Sequence, residues 1–402
     1  MPRKADIITA VKNSNIFLKV PELSGATVKI NSNGQPYVFT GGFTMVFQLT
    51  KNLKKWAFRV WHTGFNQQKE RFQKISQYIA NQSLPYFADF IYDEKGLLVD
   101  GELVDTIRME WLEGNLLKKY IETNLYNQNK LLNLANNFSI MFGLLHHHKI
   151  SHGDLQHGNI LIDSQDNIRL IDYDSVCVPE IEGKEELVTG LRGYQHPSRL
   201  KHATKASLKS DYFSELIIYL SLCAIAEYPN LWNKYSVKDT EVLLFCDRDL
   251  DNLQQSNIYQ DLLHHNSDKI NSLLKVLIHY LSKSSYLELE PFDSYKAQDL
   301  AGITLKMWNY SNQQSVNSVK NVSHSISEKP NKPGKVGFIF SLIALLLCWV
   351  PVGGWILWTL GLVFSIIGVT KIPKERAVAG LIMSGVALIV LLAFSVFWMT
   401  QL

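Results

Sequence analysis

With 402 residues the chain is too long for one ordinary hydrophobic core, so two or more units are predicted. A composition 46% apolar and 19% charged is globular, and a formal net charge of only +3 gives no basic surface to attract nucleic acid, which is excluded as a partner. The four cysteines, Cys177, Cys223, Cys246 and Cys348, have no Cys-x-x-Cys spacing, which argues against a disulfide framework or zinc site and for a reducing, cytosolic compartment.

The N-terminus has no apolar stretch of the kind a secretory signal carries, and residues 1–35 read as an extension. From residue 36 to 110 short apolar runs alternate with turns. Strands are predicted at Tyr37–Thr40, Met45–Leu49 and Trp56–Trp61, bounded by Gly41-Gly42 and by a Lys/Asn turn at 51–55. A charged amphipathic helix follows at about 66–81, then two strands on either side of Gly96, Ala88–Tyr92 and Gly101–Glu110. From 111 to 308 the period becomes helical. Leu131, Leu134, Phe138, Met141 and Leu145 recur at three- and four-residue steps, and residues 213–223 are apolar nearly all round, as in a helix through the middle of a domain. The prediction is an α+β fold with a small β-rich lobe and a larger helical lobe.

Residues 309–335, rich in Ser, Asn, Lys and Pro, read as a solvated, disordered linker. Beyond it, 336–402 is apolar, with no charge from Val336 to Thr370 or from Ala377 to Leu402. The first run, about 34 residues, would be roughly 50 Å long as one helix, against a hydrocarbon core of roughly 30 Å. Trp349-Val350-Pro351-Val352-Gly353-Gly354-Trp355 breaks it in the middle. Membrane spans at about 337–350, 355–370 and 378–399 are predicted. This arrangement puts Lys332 and Lys335, and also Lys371, Lys374 and Arg376, on the cytoplasmic side with the preceding domain.

The stretch with most chemistry is His152-Gly153-Asp154-Leu155-Gln156-His157-Gly158-Asn159, followed by Ile171-Asp172-Tyr173-Asp174. Two apolar strands, 160–162 and 168–171, flank a turn at 164–167. An antiparallel hairpin brings Asp154 and Asn159, just before its first strand, beside Asp172, just after its second. Two oxygen ligands and a further carboxylate at one point suit magnesium and a phosphate chain.

This pattern resembles the catalytic loop and metal-binding motif of the protein-kinase superfamily, with the 18-residue interval from Asp154 to Asp172 usual there. The wording Gly-Asp-Leu-Gln-His-Gly-Asn is similar to that of a bacterial branch of kinase-like proteins. The resemblance covers nearly all of 36–308 and implies a bilobal kinase-like fold using ATP and Mg2+. By it, Asp154 would orient or deprotonate the acceptor hydroxyl, and Asn159 and Asp172 would hold magnesium. Gly41 and Gly42 would belong to the nucleotide loop, with Val46 and Ala57 against the base. Met109-Glu110-Trp111-Leu112-Glu113-Gly114 would be the hinge, with Glu110 at the adenine. Gly193-Tyr194-Gln195-His196-Pro197 would end the activation segment, and Asp211 would brace the catalytic loop.

Three departures stand out. Arg59 takes the place of the phosphate-gripping lysine, with Glu70 as its candidate partner on the following helix and a solvated helix face as the alternative for Glu70. Gly153 replaces the arginine before the catalytic Asp. Asp174 replaces a glycine, in a turn where Asp tolerates left-handed angles. His146-His147-His148 reads as solvated or as interacting with a helix C-terminus. The implied function is membrane-anchored transfer of the ATP γ-phosphate to a protein Ser/Thr hydroxyl. The alternatives are a nucleotide-binding pseudokinase scaffold and a small-molecule phosphotransferase of the aminoglycoside type.

Overall fold

The computed structural model describes residues 2–41, 43–62, 69–201, 204–307, 340–342, 353–369, 381–388 and 390. It divides into two compact units, Met1–Asn309 and Tyr310–Leu402.

The first unit opens with helices α1 (Lys4–Lys12) and α2 (Ser14–Phe17). An antiparallel sheet follows, formed by β1 (Thr27–Val28), β2 (Val38–Thr40), β3 (Thr44–Lys51), β4 (Lys54–Trp61), β5 (Phe90–Val99) and β6 (Glu102–Glu110). Its order is β1-β3-β4-β6-β5, with β2 also paired to β3. Successive strand residues point to opposite faces, and the register sorts the side chains accordingly. Met45, Phe47 and Leu49 of β3 lie opposite Val60, Phe58 and Trp56 of β4. All but the half-buried Trp56 join Ile7, Ala10 and Val11 of α1 in a buried core. The alternate residues, Val46 opposite Arg59 and Gln48 opposite Ala57, face the other way. Residues 1–35 therefore include the cover of one face of this sheet.

Helix α3 (Lys69–Gln82) covers the rest of the small lobe through Phe72, Ile75 and Ile79, buried at three- and four-residue steps. The β5–β6 hairpin differs from the prediction. β5 runs through Gly96 to Val99, with a register irregularity between Asp93 and Leu97. The chain reverses instead at Asp100-Gly101, both at positive φ (50° and 83°), the backbone that a two-residue hairpin turn of right-handed twist requires.

The larger lobe contains β7 (Asn115–Leu116), β8 (Ile160–Ile162) and β9 (Ile168–Leu170), together with helices α4 (Leu117–Thr123), α5 (Gln128–His147), α6 (Tyr212–Glu227), α7 (Asn230–Lys234), α8 (Asp247–Asp251), α9 (Asn257–His265) and α10 (Asp268–Leu281). Leu131, Leu134, Phe138, Met141 and Leu145 make the buried face of α5. Thirteen residues of α6 are buried, Phe213 through Ala226 with the exception of Tyr219, because it runs through the lobe with neighbours on all sides. The described cysteines, Cys177, Cys223 and Cys246, are free thiols.

In the second unit a helix spans Gly353–Val369, and residues 340–342 and 381–388 are also helical. Trp358 Nε1 donates to the Ser384 carbonyl at 2.8 Å, and the Ser341 and Ser384 hydroxyls lie 2.9 Å apart. Among the described residues no helix is long and apolar enough to cross a membrane. Most of the predicted spans 337–350 and 378–399, and all of the predicted linker at 309–335, lie outside the described residues.

Candidate active site

The β8–β9 hairpin is built by its turn. Asp163 accepts from the backbone amides of Gln165 (2.8 Å) and Asn167 (2.9 Å), and Asp166 takes a positive φ of 63°. Ahead of β8, Gln156 caps a short 3-10 turn over His157–Asn159, and Ile171 N donates to Asn159 O at 3.0 Å. Those bonds bring the residue before Asp172 against Asn159. The Asn159 amide nitrogen donates to Asp154, to its carbonyl at 2.8 Å and to Oδ2 at 3.0 Å. Asp154 Oδ1 accepts from the Leu191 amide at 3.1 Å, so both carboxylate oxygens are oriented.

The loop carrying Asp154 is held from below. Buried Asp211, at the start of α6, accepts the backbone amides of His152 and Gly153, the latter at 2.9 Å. His152 donates from Nε2 to the Ile171 carbonyl at 3.0 Å, which ties the loop to the hairpin's second strand. Burial, with Lys118 nearby, pushes the His157 imidazole down to about 4. It is thus neutral at physiological pH, and its Nδ1 lies 2.8 Å from the Tyr194 hydroxyl. His196 donates to the Tyr280 carbonyl of α10 at 3.1 Å, anchoring the Gln-His-Pro segment. Arg199, fully buried, pairs with Glu186 and also donates to Gln195.

Arg59 reaches into this group from β4. One guanidinium nitrogen contacts Asp174 and the other lies 3.5 Å from Asp172 Oδ1. Burial opposes the Arg59 charge, but Asp174 and then Asp172 raise its pKa, and the guanidinium stays protonated. The Asp174 carboxyl is pushed up by burial and by Asp172, against the pull of Arg59. Arg59 Nε and Asp174 Oδ1 are buried without a hydrogen-bond partner. Asp172 itself has φ 66° and ψ 80°. The left-handed residue of this turn is therefore Asp172, whereas Asp174 sits within a 3-10 turn, Tyr173–Ser175, where it can point at Arg59.

Glu70 is not the partner of Arg59. Its side chain is 71% exposed and meets Lys74 and, at 3.8 Å, Lys184. The inward charged residue of α3 is its neighbour Arg71, which donates to the carbonyls of Val176 (3.2 Å) and Glu185 (3.4 Å).

Gly41 precedes β3, and its amide donates to the Thr44 carbonyl at 2.9 Å. Gly42 lies outside the described residues. Val46 and Ala57 share the sheet face of Arg59 by the register above. Glu110 is exposed at the end of β6 opposite Trp56, and Trp111 N donates to the Lys55 carbonyl at 3.0 Å. Phe39 of β2 lies over Trp111, ring centroids 5.8 Å apart.

Sequence reasoning missed the bond from Asp174 to Arg59, the Leu191 amide on Asp154, and the role of His146. Rather than being solvated, His146 has Nε2 2.9 Å from the buried Glu215 carboxylate. His148 meets Gln82 at 2.7 Å. The one available signal was the unusual acid at position 174; the others depend on long-range packing.

Among the described residues no three His, Cys, Asp or Glu side chains are placed to hold a metal by themselves. The donor set here is instead Asp172 with the Asn159 carboxamide, all oxygen. That fits magnesium, which takes one or two protein ligands and completes its shell with phosphate and water. The unpartnered Arg59 Nε–H beside it is a buried donor suited to a phosphate oxygen.

A family model described as the protein kinase domain matches residues 40–286, more than half of the chain.

Proposed function

We propose, from the premise that this chain belongs to the protein kinase domain family, that it moves the γ-phosphate of ATP to a Ser or Thr hydroxyl of a protein substrate. ATP with magnesium supplies the transferable phosphoryl group and the charge that screens its oxygens. Asp172 and Asn159 would hold the metal, and Arg59 would face the phosphate chain. Asp154, with its carboxylate fixed by Asn159 and the Leu191 amide, would orient the acceptor hydroxyl and take its proton. Val46, Ala57 and the hinge after Glu110 would receive the base, under the loop of Gly41 and Gly42. The observation carrying this reading is that Asn159 bonds both Asp154 and the Ile171 amide next to Asp172, with Arg59 3.5 Å from the Asp172 carboxylate.

The test uses the full chain with ATP and magnesium. Thermal unfolding should shift upward with nucleotide, and Asp172→Ala should abolish the shift. Labelled phosphate should appear on Ser or Thr of a general protein substrate. An unmodified chain with no thermal shift would sink nucleotide binding. A second reading, a nucleotide-binding scaffold, is favoured by Arg59 offsetting the Asp172 and Asp174 charges; binding without transfer would select it.

We further propose that 336–402 tethers the kinase domain to the cytoplasmic face of a lipid bilayer. Support comes from the uncharged runs Val336–Thr370 and Ala377–Leu402 and their flanking basic clusters. Extraction of the expressed chain by alkaline carbonate alone, without detergent, would rule the tether out.

A further inference from the structure

In this site the acid that aims Arg59 comes from the loop after β9 and not from the helix after β4. We propose that Asp174 is the positioning residue for Arg59. Its carboxylate draws the guanidinium across from the small lobe to the metal loop, so that assembly of the nucleotide site does not depend on an acid of α3. This rests on the reading of Arg59 as a phosphate-facing group.

Several observations converge on it. Arg59 and Asp174 are both buried, 5% and 7% exposed, and each is the other's contact partner. Desolvating either charge alone would be costly, so each holds the other in place. Arg71 supplies a second positive charge that acts on Asp174. Helix α3 therefore presents a cation inward, opposite in sign to what Arg59 would need from it, while Glu70 faces solvent and the surface lysines. A contact from Asp174 to one terminal nitrogen, with Asp172 at the other, leaves Nε–H as the unpartnered buried donor. A guanidinium can be fixed through one edge and still donate from another; an ammonium has no such second edge.

The experiment is a double-mutant cycle on the full chain, read as the dissociation constant for ATP with magnesium and, separately, as thermal unfolding without nucleotide. Asp174→Asn should weaken nucleotide binding about tenfold, the scale of one charge-assisted bond. Combined with Arg59→Ala it should weaken binding no further than Arg59→Ala alone, and Asp174→Glu should restore part of the affinity. Glu70→Gln should bind as the parent does. In the nucleotide-free cycle the two substitutions should be similarly non-additive. Additive effects there, or an Asp174→Asn chain that binds ATP like the parent, overturn the proposal. If the parent binds no nucleotide while the nucleotide-free coupling persists, the functional reading fails and the positioning of Arg59 by Asp174 stands.

Discussion

Gly153 lies so close to Ser175 that an added Cβ would collide with the Ser175 carbonyl oxygen and sit 2.9 Å from the Ser175 Cβ, at a φ of +77° that side chains avoid. No arginine fits before Asp154 in this backbone. Gly153→Ala should therefore lower stability by at least about 2 kcal/mol, combining left-handed strain with displacement of the 173–175 turn. Gly143→Ala, at an exposed helical site with nothing within 4 Å, should raise stability by about 0.5–1 kcal/mol. Chemical denaturation measures both; equal effects would show that the loop can yield at 153.

Asp154→Ala should abolish phosphotransfer and leave nucleotide affinity within about twofold, because Asp154 is bonded to Asn159 and Leu191 and has no ion pair to the Arg59 cluster. Transfer assays and equilibrium binding separate the two effects. Activity equal to the parent's would remove Asp154 from the chemistry.

Arg59→Lys tests the phosphate site from the cation's side. An ammonium's three donors all radiate from one atom, so Lys would have to meet Asp172, Asp174 and a phosphate from a single point, where Arg59 spreads Nη1, Nη2 and Nε across the site. The Lys form should lose nearly as much ATP affinity as Arg59→Ala, about 1.5–3 kcal/mol or roughly tenfold to a hundredfold. Ala, Lys and Arg forms with the same affinity and turnover would place residue 59 outside the phosphate site.

Stability should also depend on pH through α5 and α6. Burial pushes the Glu215 carboxyl from 4.5 up to about 7, against the pull of His146, with Asp211 and Asp293 adding to the rise. A raised value means that the folded chain binds this proton more tightly than the unfolded one, so the contribution is complete below 4.5 and is lost as pH rises toward 7. Burial opposes the His146 charge, but Glu215 raises its pKa, which gives a contribution of the same sign. Glu215→Gln should flatten the fall in unfolding temperature across that window. An unchanged slope would assign the pH dependence to other groups.

What could be read from residues alone was whatever had a local cause. The period of Leu131 through Leu145 and the apolar circumference of α6 are consequences of neighbours in sequence and depth in the fold. The Asp154-to-Asp172 hairpin is set by its turn at 163–167, so its cluster of polar ends followed from topology. The partner of Arg59 did not, because an ion pair spanning 115 positions is decided by which loop faces β4. Glu70 and Arg71 are adjacent, and a helical rotation of one residue decides which of them points inward. The reversal at Asp100-Gly101 was masked by Gly96, which looks like a turn residue but lies within a strand.

Helix α1 also bears on where this protein can be cut. The family match begins at residue 40, in the strand that borders the sheet. A chain begun there would lose Ile7, Ala10 and Val11 and uncover Met45, Phe47 and Leu49 of β3 and Phe58 and Val60 of β4 on one contiguous face of the sheet. Such a face is a template for sticking to copies of itself. Shortened versions should precipitate or follow chaperones, and their inactivity would report on lost solubility, with the phosphate site itself untouched.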